Sequence, residues 1–326
     1  MTRVLISILN WNSSDKTSEC IQSLMHLQVD EQLSVDIRVR DNGSALDQLA
    51  KLKVLEQSYP SVSFDFSTQN TGFTGGQNHN IQYALDQAYD YIWLLNNDTV
   101  VYPDALGLLV QEMESDPKCG ASSPIILRLG QPEIVDFCGA CHEWSNIDTL
   151  RPNSLAEAPK FLETHAKTVW AVGTALLLSC AAVREIGMLN SDYFAYYEDD
   201  DFGARLVTNG WHTRIVLEAK VEHACFEGDM FQRQPYFFYL LTRNAVFFAL
   251  THVPAAYRRF LRVRYVTRSF HLAEKLYGLG HAAKAQACLL GLSDGLFGRG
   301  GPPKLGRTLP FWVAVLRPLL RWWNTR

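Results

Sequence analysis

Four short apolar runs, each followed at once by a cluster of Asn, Asp or Gly, constrain this chain more than any other feature. Val4-Leu5-Ile6-Ser7-Ile8-Leu9 runs into Asn10-Trp11-Asn12, and Val35 to Val39 runs towards Asp41-Asn42-Gly43-Ser44. Val62 to Phe66 leads to Asn70-Thr71-Gly72-Phe73-Thr74-Gly75-Gly76, and Tyr91-Ile92-Trp93-Leu94-Leu95 ends in Asn96-Asn97-Asp98. Helix-like segments lie between them: one opened by Ser13, Ser14 or Asp15, one near Leu46 to Gln57 and one near Gln77 to Ala88. Strands alternating with helices of this length predict an α/β fold on a mainly parallel sheet with right-handed crossovers, whose ligands sit at the carboxyl ends of the strands. One such cluster is what a turn or a helix cap uses. Four in succession predict a shared polar cleft.

From about residue 120 the alternation stops. Residues 139 to 168 are polar and contain Pro, which reads as a loop or lid, and an apolar strand Val169 to Leu178 follows with Gly173-Thr174 inside it. A helix is expected from near Ala181. Then comes Tyr193-Phe194-Ala195-Tyr196-Tyr197-Glu198-Asp199-Asp200-Asp201-Phe202, four carboxylates directly behind four aromatic residues. A charge run is usually a solvated face, but aromatic residues at its edge point to a cleft wall. Acids in the first turn of a helix also cap it, the role expected of Asp200 and Asp201.

These segments, taken in order, resemble glycosyltransferase family 2, in particular the bacterial rhamnosyltransferase-like branch that builds cell-surface polysaccharides. The resemblance rests on Ile8-Leu9-Asn10-Trp11-Asn12, Arg40 to Ser44, Asn70 to Asn78, Leu94 to Thr99, Gly173 with the apolar strand behind it, Tyr196 to Asp201, and Val221-Glu222-His223, covering roughly residues 3 to 225. It implies a GT-A fold, a nucleotide-sugar donor, a divalent metal and an inverting transfer. By similarity Asp41 contacts the nucleotide base, with Asn10 and Asn12 near the same pocket and Asn96 on the donor side. Gly72, Gly75 and Gly76 would form a turn that lets the backbone approach the nucleotide, a conformation at positive φ that suits glycine.

Asn96-Asn97-Asp98 stands where the family carries its Asp-x-Asp metal motif, so Asp98 is the one anionic ligand the triplet offers. His223 falls where some relatives supply an imidazole to that metal, a donor that suits Mn²⁺ better than Mg²⁺; alternatively it is a satisfied histidine at a strand end. Inversion requires a base on the face opposite the nucleotide, and the family's Glu-Asp pair assigns that role to Asp199. Trp170, Gly173, Tyr197 and Glu198 are candidates for the acceptor side. Aromatic faces suit a pyranose, so Tyr196, Tyr197, Trp170 and Trp211 either stack on sugars or fill a core; Trp211 reads as core, and for Trp170 both readings stand.

The net charge of −4 conceals an asymmetry. Residues 255 to 326 hold 13 Lys and Arg against Glu274 and Asp294, a net +11, which leaves −15 on the remainder. Such a split predicts a basic tail that meets an anionic surface. Arg258, Arg259, Arg262, Tyr265, Val266, Ser269 and Phe270 read as a basic amphipathic helix, and Leu309 to Arg317 with Trp322-Trp323 as an interfacial terminus. Residues 236 to 253 are mostly apolar, but Arg243-Asn244 in their middle argue for a packed helix and against a membrane span. The branch often carries a similar Tyr and Arg-Asn helix there.

The expected organisation is a GT-A catalytic domain over 1–230 and a helical region over 231–326. The start of the chain turns polar too soon for a signal peptide, and seven cysteines at irregular spacing suit reduced thiols. We therefore expect a cytoplasmic protein, peripheral at the inner face of the cytoplasmic membrane. Cys138-Gly139-Ala140-Cys141-His142 matches a haem-attachment pattern, but there is no export signal and no second Cys pair at zinc-ribbon spacing. The expected donor is dTDP-rhamnose, with a UDP-sugar as alternative, and the acceptor a growing or lipid-linked glycan. Binding to nucleic acid is not expected, since the aromatic RNA-binding signatures are missing. Two competing readings remain: a catalytically silent nucleotide-sugar-binding scaffold, motivated by Asn96, and a tail that makes a homo-oligomer contact.

Overall fold

The computed structural model describes residues 1–145, 148–224, 226, 228–313, 315 and 316. Arg317, Arg321, Arg326 and Trp322-Trp323 of the expected interfacial terminus lie outside the described residues, as do Ala314 and the side chain of Arg262. The first elements are β1 (Thr2–Asn10), α1 (Ser14–Leu24), β2 (Leu33–Asn42), α2 (Leu46–Ser58), β3 (Val62–Ser67), α3 (Gly72–Asp86), β4 (Tyr91–Asn96), β5 (Thr99–Val101), α4 (Ala105–Ser115) and β6 (Cys119–Arg128). They are followed by β7 (Gln131–Phe137), β8 (Cys141–Glu143), β9 (Asp148–Leu150), α5 (Ala158–Thr164), β10 (Ala175–Ser179), α6 (Cys180–Ile186), α7 (Glu198–Thr208) and β11 (His212–His223). Helices α8 (Pro235–His252), α9 (Arg258–Gly278) and α10 (Ala282–Leu296) follow.

The chain divides into two compact units, one of Met1–Glu143, Thr149–Leu189 and Phe202–Cys225, the other of Trp144–Asp148, Asn190–Asp201 and everything from Phe226 onward. The first holds a sheet of order β3-β2-β1-β4-β10-β6-β11-β5, with β7 beside β6. From β3 to β4 every pairing is parallel. Val4, Ile6 and Ile8 of β1 and Ile92, Trp93, Leu94 and Leu95 of β4 are all buried. Helices on both faces explain why these strands read as near-continuous apolar runs instead of alternating ones.

Past β4 the sheet is mixed, because β10 enters antiparallel to both β4 and β6. The strand expected over Val169 to Leu178 is shorter than its apolar run. Gly173-Thr174 form a turn, the Thr174 carbonyl accepts from the Asn96 backbone N–H at 2.8 Å, and the ladder begins only after it. The region read as a loop over 139 to 168 carries β8, β9 and α5, the last started by Pro159 in its first turn. Helix α3 begins five residues before the expected Gln77, at Gly72.

The second unit is a helical body. Phe238 and Val246 of α8, Phe270 and Leu276 of α9, and Cys288, Leu289 and Leu292 of α10 form its core. Arg243 and Asn244 lie inside it, as expected of a packed helix, and no helix among the described residues is long and apolar enough to cross a membrane. On α9, Phe270 and Ser269 are buried, whereas Phe260 and Val263 are 55% and 64% exposed beside exposed Arg258 and Arg259.

Two small residues set how closely α8 and α10 approach. A Cβ on Gly291 would stand 2.3 Å from the Tyr239 carbonyl oxygen, and one on Gly295 2.7 Å from the Arg243 carbonyl oxygen. Both obstacles are backbone, which cannot swing aside as a side-chain tip can. Gly291→Ala is therefore expected to destabilise the protein by about 1–3 kcal/mol, the usual cost of overpacking, although alanine is the better helix former. Thermal unfolding checks this, and an unchanged or raised midpoint would contradict the close approach.

Candidate active site

The parallel register of β1 and β2 places Asn10 opposite Asp41 at the carboxyl ends of both strands. Both are buried. The Asn10 amide donates to Asp41 Oδ1 at 2.9 Å and to Ser44 Oγ at 3.1 Å, and the Ser44 backbone N–H donates to Asp41 Oδ2 at 3.0 Å. Asn10 Oδ1 in turn accepts from Thr17 Oγ1 at 2.9 Å and from the Asn97 amide at 3.2 Å. The same Asn97 amide also donates to Thr17 Oγ1 and the Ser13 carbonyl. Three strand ends and the first turn of α1 are thereby locked into one polar floor. A buried network of this kind is stable only when its members are satisfied, which fixes the orientation of each carboxylate and amide.

Asn12 has φ 53°, in the left-handed region where Asn is the commonest non-glycine residue. Its Oδ1 accepts from the Ala45 backbone N–H at 2.8 Å, one of the donors left open at the start of α2. The glycines behave differently from one another. Gly72 has φ +76°, and its turn is braced by Asn42, whose amide donates to the Gly72 carbonyl at 2.9 Å and whose Oδ1 accepts from the Thr71 backbone N–H at 3.1 Å. Gly75 and Gly76 are not at positive φ as expected; they lie inside α3. A Cβ on Gly76 would stand 2.4 Å from Leu9 Cδ1, and one on Gly75 2.7 Å from Thr71 Cβ. Close packing of α3 on β1 accounts for Gly76, and the Thr71 side chain at the helix start for Gly75, without a positive φ.

At the end of β4, the register of β11 on β5 brings His223 opposite Thr99 and beside the Asn96-Asn97-Asp98 turn. His223 Nε2 lies 3.2 Å from Asp98 Oδ1, and the Asn96 amide nitrogen lies 3.4 Å from the same ring nitrogen. Lys16 Nζ, from the first turn of α1, lies 3.3 Å from the other oxygen, Asp98 Oδ2. Burial opposes ionisation of Asp98, but the His223 hydrogen bond and the charges of His223 and Lys16 outweigh it and hold its carboxyl below the usual range.

Among the described residues no three His, Cys, Asp or Glu side chains converge as a metal-binding group. Asp98 Oδ1 and His223 Nε2 nevertheless suit a cation: at 3.2 Å apart, both can bond one ion at about 2.0–2.2 Å. His223 Nδ1 is buried without a partner. The donor set, one carboxylate oxygen and one imidazole nitrogen, is of the kind that takes Mn²⁺.

Asp199 belongs to the second unit, in the first turn of α7 with Glu198, Asp200 and Asp201. Asp199 Oδ1 accepts from the Asp200 backbone N–H at 3.0 Å, which satisfies one open donor of the first turn. Asp201 Oδ1 meets His252 Nε2 at 2.7 Å, within the body of the second unit. Glu198 is only 6% exposed and its Oε2 has no partner. Burial and the neighbouring Asp199 charge push its carboxyl well above the ordinary value of 4.5. The folded chain then binds more protons than the unfolded one above that pH, so this residue favours folding at low pH and opposes it as pH rises. Relative to wild type, the thermal midpoint of Glu198→Gln is expected to increase as pH rises above 4.5. A flat difference would show that Glu198 titrates as an ordinary acid.

The residues just before α7 are strained. Phe194, Tyr196 and Tyr197 have φ of 64°, 69° and 71°, a region that costs a non-glycine residue about 1–3 kcal/mol. Tyr197 is tilted against Phe248 at 5.8 Å, and Tyr196 meets Phe237 edge-on at 5.4 Å. Of the other acceptor candidates, Trp170 and Gly173 belong to the first unit. Trp170 is 4% exposed, stacked on His142 at 5.3 Å and packed against Gly203, where a Cβ would stand 2.6 Å from it. It is therefore a core residue, as Trp211 is, and its face is not open for a sugar. Sequence reasoning missed Lys16, Thr17, Asn42, Ser44 and Asn97. Of these, only the last three stand in clusters whose strand-end position marked them.

A mixed α/β sheet with a polar floor at its strand ends, an Asp-His pair on the turn after β4 and an acidic helix start defines a GT-A glycosyltransferase. Solved structures agree on the fold. GalNAc-T7, crystallised with UDP, GalNAc and Mn²⁺, matches with a TM-score of 0.60 at 15% identity, covering 76% of this chain and 48% of that one. The mannosyltransferase PcManGT from Pyrobaculum calidifontis, in complex with GDP-Man and Mn²⁺, matches with a TM-score of 0.56 at 14% identity over 99% of this chain and 83% of that one. The family model for glycosyl transferase family 2 matches residues 5–131, and that for glycosyl transferase family group 2 matches residues 91–277. The chain belongs to glycosyltransferase family 2. The N-acetylglucosaminyl-diphospho-decaprenol L-rhamnosyltransferase of Mycobacterium tuberculosis is 26% identical over 61% of this chain and 70% of its own length. The poly-beta-1,6-N-acetyl-D-glucosamine synthase of Staphylococcus aureus is 24% identical over 56% of this chain, which spans 40% of that enzyme.

Proposed function

We propose that this glycosyltransferase moves L-rhamnose from dTDP-rhamnose, with inversion, to a hydroxyl of a lipid-linked or growing cell-surface glycan. The observation that carries this reading is the polar floor of Asp41, Asn10 and Asn97 beside the Asp98–His223 pair, a site for a base and a diphosphate at adjoining strand ends. Asp41 takes the nucleotide base; Asn10, Asn12 and Asn96 line the donor side, and Gly72, Gly75 and Gly76 keep the start of α3 free of side chains there. A Mn²⁺ or Mg²⁺ ion on Asp98 and His223 would stabilise the negative charge that grows on the diphosphate as the sugar bond breaks. Asp199 takes the proton of the acceptor hydroxyl while its oxygen attacks the anomeric carbon, and the nucleoside diphosphate leaves from the opposite face. Tyr197 and Glu198 flank that base. The mycobacterial relative supports rhamnose and a prenyl-diphosphate acceptor.

Such an acceptor is bound to a membrane, and α9 offers exposed Phe260 and Val263 among arginines. Each basic residue near an anionic leaflet contributes about 1 kcal/mol, so a few of them hold the enzyme at the surface. Co-sedimentation with anionic vesicles but not with oligonucleotides tests this attachment.

Asn96 in place of an acid, and Lys16 on Asp98, favour one second reading, a protein that binds the donor without turnover. The deciding experiment is a panel of nucleotide sugars with Mn²⁺ or Mg²⁺, following nucleoside diphosphate release with a prenyl-diphospho-N-acetylglucosamine acceptor. Release from dTDP-rhamnose supports our reading and release from a UDP-sugar replaces the donor. Protection against thermal unfolding without release supports the scaffold.

A further inference from the structure

The strained segment in front of Asp199 is held by two buried side chains that no chemistry of transfer calls for. Arg243 and Asn244, consecutive on α8, are both fully enclosed. The Asn244 amide nitrogen lies 2.9 Å from the Tyr193 carbonyl oxygen and 2.7 Å from those of Ala195 and Tyr196. Arg243 Nη2 donates to the carbonyls of Asp192 at 2.9 Å and Tyr193 at 2.7 Å, Nη1 donates to the Gly301 carbonyl, and Nε donates to Asn244 Oδ1 at 2.8 Å. Among the described residues no carboxylate lies within ion-pair distance of this guanidinium, although the Asp294 and Asp192 charges and a hydrogen bond to the Tyr239 side chain favour its ionised form against burial.

A buried guanidinium is an expensive way to stabilise a fold, since an apolar side chain of similar size does as well or better. What the pair does supply is direction. In a segment with φ positive at residues 194, 196 and 197, the carbonyls turn inward in an order that neither helix nor strand offers, and the Asn244 and Arg243 donors meet them there. The next residues are Glu198 and Asp199, and the first helical bond of α7 runs from the Asp201 N–H to the Tyr197 carbonyl at 3.0 Å. The placement of Asp199 thus follows from the segment.

We infer that Arg243 and Asn244 are positioning residues, which lock the left-handed 194–197 segment and so fix where Asp199 presents its carboxylate. This rests on the reading of Asp199 as the base. A misplacement of about 1 Å in a reacting group costs about 10²-fold in rate. Asn244→Ala is therefore expected to lower kcat by about 10²-fold with dTDP-rhamnose and the prenyl-diphospho-N-acetylglucosamine acceptor, and to leave the donor dissociation constant unchanged.

The decisive measurement is a double-mutant cycle with Asp199→Asn. If Asn244 acts through Asp199, Asn244→Ala costs little further in the Asp199→Asn background. An equal loss of kcat in both backgrounds, or a parallel loss of donor binding, overturns the inference and leaves a merely structural role. If Asp199→Asn alone keeps full turnover, the reading of the base is what fails. Asn244→Ser, which keeps one donor, gives an intermediate loss and serves if the alanine variant does not fold. Independently of any substrate, amide hydrogen exchange in Asn244→Ser is expected to quicken at residues 194–200 and not in α10. Unchanged exchange there also overturns the inference.

Discussion

Asp199→Asn is expected to lower kcat by about 10²- to 10⁴-fold, the range a positioned general base contributes, with donor affinity unchanged. The amide keeps the size of the carboxylate and its capacity to accept from the Asp200 backbone N–H, so the start of α7 survives the change. What is lost is the ability to take a proton. Rapid-quench turnover beside titration of the nucleoside diphosphate separates the two quantities. A variant that keeps turnover would move the base elsewhere, and the buried Glu198 would be the first residue to examine.

Asp98→Asn is expected to abolish stimulation by Mn²⁺. Lewis-acid assistance to a leaving diphosphate amounts to several kcal/mol, and each 1.4 kcal/mol is about tenfold in rate, so metal-stimulated turnover falls by about 10³-fold or more. The effect is large because the triplet offers no second carboxylate: position 96 is Asn, and Asp98 is the one anion paired with His223. Wild type and variant are expected to bind nucleoside diphosphate alike in the presence of a chelator and to differ only when Mn²⁺ is added. Mn²⁺ stimulation surviving in the variant would remove Asp98 from the metal site.

Where the polar clusters lie in the fold was readable from sequence, because strand ends in an α/β sheet announce themselves by a change from apolar to Asn, Asp and Gly. Asn10, Asp41 and Asp98 were found in this way. Thr17 and Lys16 were not, since nothing local distinguishes them from any polar residue in a first helical turn; their importance comes from Asn10 and Asp98, brought near by folding. Gly75 and Gly76 were assigned a backbone conformation they do not adopt, because a sequence cannot tell a glycine needed for its φ from one needed for its missing Cβ. Arg243 and Asn244 were legible as residues that forbid a membrane span, but their partners are main-chain carbonyls, which leave no signature in any sequence. Trp170 was undecided for a similar reason: an aromatic residue before a glycine reads the same in a core as beside a sugar.

The insertion of β10 between β4 and β6 bears on how the chain is born. β4 carries the apolar run Tyr91-Ile92-Trp93-Leu94-Leu95, and its free edge is filled only by Ala175–Ser179. On the ribosome those residues are made about 80 positions later, so at about 5–20 residues per second the edge waits for about 4–16 s with nothing to pair with. During that interval the nascent chain offers a bare apolar strand to its neighbours, the condition under which edge-to-edge association begins. Fragments that stop short of residue 175 should therefore aggregate where the whole chain does not, and holding chaperones should meet this protein most often while its middle third is still being synthesised.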